Sequence, residues 1–126
     1  MPNMPTCGKP PSPDPAPPPP GAIMPPTARI TAVRDQPPLT QLNGYVEMTP
    51  PEVRAWVESQ PGLEIKQGED EGYESELLAS DGKYTTFIKA VSVCATASLL
   101  AEVIAPADAS ASLPTPAGSL TPAPAP

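Results

Sequence analysis

The chain has 126 residues, of which 23 are proline, 14 acidic and 7 basic, with no histidine and a formal net charge of −7. An acidic surface is repelled by phosphate backbones, which argues against nucleic acid as a partner. The missing imidazole removes the commonest general base and metal ligand, so nucleophilic serine or cysteine chemistry would need another base.

Residues 1–26 hold 12 of the prolines and read as an extended N-terminal arm. Proline fixes φ near −65° and has no amide donor, so Pro17, Pro18, Pro19 and Pro20 are expected in polyproline II. At about 3.1 Å per residue the arm reaches roughly 80 Å, against a core about 25 Å across. Ile23 and Met24 are its adjacent apolar pair and would face water unless something covers them. A core domain is expected over residues 27–104, which at 78 residues is only marginally stable alone.

Within that core, Ala28 to Arg34 alternates loosely between prolines and suits a short edge strand. Asp35 to Gly44, with Pro37-Pro38 and Asn43-Gly44, reads as a loop, and Tyr45 to Met48 as a second short strand. Thr49-Pro50-Pro51-Glu52 is a capping box with proline at the first helical position. Val53, Trp56 and Val57 then make one apolar stripe on a helix of about ten residues, ended by Pro61-Gly62, with Trp56 as its expected anchor.

Leu63 to Lys66 alternates as a strand, Gln67 to Gly72 reads as a polar loop, and Tyr73 to Ala79 resumes a strand. Asp81-Gly82 is placed at the centre of a two-residue hairpin turn, with Tyr84 to Lys89 returning. Val91 to Val93 favours continued strand, whereas Ser98 to Ile104 suits a short last helix. Residues 105–126 form a second extended tail, with Leu113 and Leu120 as its apolar contacts. The expected fold class is α+β: a small antiparallel β-meander with one short helix packed on it, flanked by extended Pro-rich arms. Val53, Trp56, Ile65, Leu77, Phe87 and Ile88 are its predicted core.

Cys7 and Cys94 do not make a disulfide framework. Cys94 lies in an apolar run and reads as a buried inert thiol, and a reducing compartment fits. No basic start with an apolar core suggests a secretion signal, and the charge-free run Ala90 to Ala101 is too short for a membrane helix, which needs about 20 residues. A soluble protein of a virion or of the cytoplasm is therefore expected, with no membrane partner.

No nucleophile turn and no phosphate loop appear, so no catalytic residue, cofactor or metal is assigned. The acidic stretch around Glu69, Asp70 and Glu71 has three readings: a solvated loop, a calcium site without the usual loop spacing, or a patch facing a basic partner. In build alone, with two stiff ends on an undersized acidic core, the chain resembles the decoration or cement proteins of tailed-phage capsids. That resemblance implies a non-enzymatic accessory subunit, present in multiple copies. Its contacts with neighbouring protein subunits of a capsid or tail are expected from Pro17 to Pro20, Ile23, Met24, Leu113, Leu120 and the acidic loop. The competing expectation is a soluble adaptor whose acidic loop or Trp56 face binds one protein, with the arms as spacers.

Overall fold

The computed structural model describes residues 4–14, 17–70 and 72–116, with the side chain of Asp70 left aside. Among them, six strands form one antiparallel sheet carrying a single α-helix: β1 (Arg29–Gln36), β2 (Leu39–Val46), α1 (Pro50–Glu58), β3 (Glu64–Asp70), β4 (Glu74–Ser80), β5 (Tyr84–Cys94) and β6 (Ala97–Pro106). A 3-10 turn, Ala107–Ser112, follows. The spatial order is β1-β2-β6-β5-β4-β3, so β3 to β6 make a meander and the β1-β2 hairpin adds to its β6 edge. The fold is mixed α+β with the sheet dominant.

The helix begins as its sequence dictates. The Thr49 hydroxyl accepts from the Glu52 N–H, the Glu52 carboxylate accepts from the Thr49 N–H at 2.8 Å, and proline occupies the first helical position. Val53 and Val57 are the seated residues, while Trp56 is half-buried at the flank of the same cluster. The anchor is thus the valine pair, because a two-residue stripe facing a flat sheet leaves the bulky indole at its margin.

The sheet face under α1 is the main core. Leu77, Ile88, Ala90 and Leu100 meet Val46, Val53 and Val57, and Ile23 from the N-terminal segment completes the cluster. Of the predicted core, Val53, Leu77, Phe87 and Ile88 are buried, while Ile65 packs against the cluster half-buried. Burying one such aliphatic side chain contributes about 1.5–3 kcal/mol, so Ile23 belongs to the fold. The boundary expected at residue 26 runs through packed structure.

Three local readings are corrected. The stretch Asp35 to Gly44 is largely strand: only Pro37-Pro38, joined by a cis peptide, makes the turn. Gly44 sits in the middle of the sheet because a Cβ there would lie 2.6 Å from the Arg29 carbonyl oxygen. Its glycine answers a close approach of two strands rather than a bend. Second, Ser98 to Ile104 is not helical but lies in β6, opposite β2 and β5 at once. Flanked by strands on both sides, β6 reads as a near-continuous apolar run although Leu99, on the face away from α1, is 50 % exposed, and a short helix segment reads the same way. Third, the β4-β5 turn slips by one residue. Asp81 pairs with Tyr84, leaving Gly82, at φ +95°, and Lys83 as the two loop residues.

The cysteine reading is also corrected. Cys7 and Cys94 form a disulfide across a separation of 87 residues. The N-terminal segment folds back until the Pro5 carbonyl accepts the Ala95 N–H at 2.8 Å, which brings Cys7 beside the β5-β6 turn. No helix among the described residues is long and apolar enough to cross a membrane.

Candidate functional site: a strap seated on the sheet

Among its described residues the N-terminal segment has no helix or strand before β1, yet its path is fixed at several points. It starts beside Tyr45, Cys94 and Ala97, on the side of the sheet opposite α1. It then passes the outer edge of β1, where the Asp14 N–H donates to the Ile30 carbonyl at 2.6 Å and Arg29 reaches the Pro11 carbonyl. A turn closed from Ala22 to Pro19 delivers residues 21–23 onto the helix-bearing face. The segment therefore wraps one sheet edge from face to face.

On that second face two core side chains hold the strap by its main chain. Thr86 Oγ1 donates to the Gly21 carbonyl at 2.8 Å, and Glu102 Oε1 accepts the Ile23 N–H at 2.8 Å. Gly21 has φ +86°, and a Cβ there would lie 2.6 Å from Ile104 Cγ2 and 2.8 Å from Tyr84 Cβ. Both the left-handed backbone and the close contact require glycine. Ile23 then enters the core. Together Thr86, Glu102, Ile104 and Tyr84 form a cradle fitted to Gly-Ala-Ile.

Glu102 is unusual for its place. It is 1 % exposed, and its Oε2 finds no hydrogen-bond partner among the described residues. Burial pushes its pKa up to about 8, opposed only by the Ile23 N–H, which favours the charged form. Burial thus favours the uncharged, protonated carboxyl. Directly across the sheet stand Leu42 on β2 and Ile88 on β5, so the lateral neighbours bring no charge.

A cleft of about 270 Å³ opens beside the strap, between Met24, Ile23 and the end of α1 with Trp56, Gln60 and Leu63. Trp56 and Met24 are both half-buried at its wall. Asp81, also on this wall, has its pKa lowered because the N–H groups of Tyr84 and Lys83 donate to its carboxylate.

The sequence-predicted contact residues fall into separate places. Pro17, Pro18 and Pro20 are exposed and Pro19 is half-buried, on the stretch that leads into the cradle. Ile23 is buried in its own chain's core, so it is not left to face water. Leu113 is buried after the 3-10 turn, which packs against β5 and β6. Leu120 and Glu71 lie outside the described residues, and Asp70 is described only as the last residue of β3.

Glu69 and Asp70 lie on the edge strand β3 rather than in a loop. Glu69 on β3 stands opposite Glu76 on β4, and Glu76 stands opposite Lys89 on β5. The Lys89 ammonium lies 3.3 Å from Glu74 and 3.6 Å from Glu76, and the Glu74 contact foremost raises its pKa. Among the described residues no three acidic, cysteine or histidine side chains are grouped to hold a metal ion.

The residues that hold the strap, Gly21, Thr86 and Glu102, were not singled out by sequence reasoning. One signal was present: Glu102 is the lone charged residue between Lys89 and Asp108. A single acid in an uncharged strand-forming run asks for a donor. No protein-family model, curated protein sequence or solved structure matches this chain.

Proposed function

We propose that the protein is a non-enzymatic structural accessory subunit of a larger protein assembly, acting through its proline-rich segments, in the manner of capsid decoration or cement proteins. The observation that carries this reading is the cradle, where a proline-flanked segment is gripped through its main chain by buried side chains. A segment already stiffened by proline loses less entropy on docking than a flexible one, so such segments suit fastening. The disulfide between Cys7 and Cys94 accords with an extracellular particle more than with a reducing cytosol.

The test uses full-length chain and the particles of its source. Replacing the exposed Pro17, Pro18 and Pro20 by serine, and in a second variant removing residues 117–126, leaves the gripped residues in place. Each change should lower occupancy on particles several-fold while the circular dichroism of the core is kept. Unchanged occupancy in both variants, or a chain that never co-sediments with particles, overturns the reading.

A second reading is an adaptor that binds one protein segment in the open cleft between Met24 and Trp56. It expects Trp56→Ala to abolish partner binding while both proline variants bind normally, measured by titration calorimetry.

A further inference from the structure

We propose that the strap exchanges between copies, so that Gly21 to Ile23 of one chain seats in the Thr86–Glu102 cradle of a second copy. This deepens the reading of the proline-rich segments as fasteners and rests on it for its biological use. The occupant is specified by the cradle itself. It has room for no Cβ at the position of Gly21, a hydroxyl for that residue's carbonyl, a carboxyl for the N–H two residues on, and an apolar socket for Ile23. The chain's own segment meets all four requirements, and a second copy of it meets them equally.

The hinge supplies the reason to exchange. Between the strap and β1 lie Pro25, Pro26 and Thr27, and Thr27 has φ +67°. A β-branched residue is a true outlier there. The closed monomer holds this turn with two hydrogen bonds, from the Ala28 N–H to the Pro25 carbonyl and from the Glu47 N–H to Thr27 Oγ1, each at 3.0 Å. Opening the hinge releases that backbone, while every cradle contact is regained in the neighbour. Strained hinges of this kind favour swapping between identical subunits. The stretch from Pro17 to Pro20 is largely exposed, so lifting it uncovers little.

Binding in the same chain has an effective concentration near the millimolar range for a short linker. Exchange is therefore expected at high local concentration, as where copies stand side by side on a particle.

Whole-arm exchange carries Cys7 with the strap, so the disulfide records it. Two intrachain Cys7–Cys94 bridges become two interchain bridges by thiol–disulfide exchange. An attacking thiolate takes one sulfur and is expelled at the end, with no net oxidation.

The test mixes two full-length variants at high concentration, Cys7→Ser and Cys94→Ser, in a glutathione buffer. Oxidised glutathione accepts the two electrons as the one remaining Cys7 and the one remaining Cys94 join. Random collision of two thiols gives mixed dimer as about half of all covalent dimer. Exchange is expected to raise the ratio of mixed dimer to homodimers several-fold above that, read on a non-reducing gel. Gly21→Val placed in the Cys7-bearing chain should return the ratio to the random value. The accepting chain is untouched in that mixture, so unfolding of the donor leaves the cradle intact. Thr27→Gly in both chains relieves the closed hinge and should lower the excess.

A random ratio with the starting pair, or an excess that survives Gly21→Val, overturns the proposal. Because only purified chains are used, that result leaves particle attachment to stand or fall on its own test.

Discussion

The two ends of the chain are both rich in proline, yet the structure fastens them differently. The N-terminal end is held by a disulfide, by main-chain hydrogen bonds to Thr86 and Glu102, and by one buried isoleucine. The C-terminal end, after β6, makes a 3-10 turn and then buries Leu113 and Pro116. Its turn residues Ala107 and Ser110 share a cleft with Leu78 and Thr85, on the face away from α1. The C-terminal side is also tied through its main chain, by the Ala107 N–H donating to the Lys83 carbonyl at 2.9 Å, but among the described residues only the N-terminal side carries a covalent tie.

Four measurements break or sharpen this contrast. The largest effect is expected from removing the disulfide with the paired substitution Cys7→Ser and Cys94→Ser. Chain-entropy arguments for a loop of this length put the loss at about 4.6 kcal/mol, read as a lowered urea midpoint. A change under about 1 kcal/mol would show that the N-terminal end holds without its covalent tie.

Next, Gly21→Val should cost about 3 kcal/mol, combining overpacking against Ile104 with a left-handed backbone. The same variant should accelerate hydrogen exchange at the Ile23 amide. Third, Leu113→Ala should cost about 2 kcal/mol, the low end for a buried leucine near the surface, without changing exchange at Ile23. Coupled loss at both ends would mean that the two fastenings are one.

The fourth measurement concerns Glu102, where the slope is at most about 1.4 kcal/mol per pH unit. Its folded pKa of about 8 lies above the ordinary 4.5, so the folded state binds more protons between those values. Stability contributed by this group is full below pH 4.5, falls as pH rises toward about 8, and is level above that. The Glu102→Gln variant should lack this slope in urea titrations. A wild-type curve parallel to the variant's across the window would mean that the carboxyl is ionised in place.

Much of the meander could be read from sequence because its signals are local. Alternation in Tyr73 to Ala79 and the aromatic, β-branched run from Tyr84 each act within a few residues, and Gly82 marks the turn between them although its centre lies one residue later than Asp-Gly suggests. The capping box at Thr49 was legible to the residue for the same reason. What escaped was set by distant pairing. Asn43-Gly44 looks like a turn until β1 is seen to pass 2.6 Å from where a Cβ would stand. Ser98 to Ile104 reads as a helix until β2 and β5 flank it. The cradle joins residues 65 and 79 positions apart, and no spacing rule links Gly21 to Thr86 or Ile23 to Glu102.

The separation of 87 residues between the bridged cysteines has a consequence for how the protein is made. A ribosome adding about 5–20 residues per second exposes Cys7 well before Cys94 has been translated. Neither the bed for Gly21 nor the pocket for Ile23 exists until the last two strands emerge. For several seconds the segment bearing Cys7 waits with its thiol unpaired, on a proline-rich tether. In a crowded polysome, the first matching sheet it meets need not be its own.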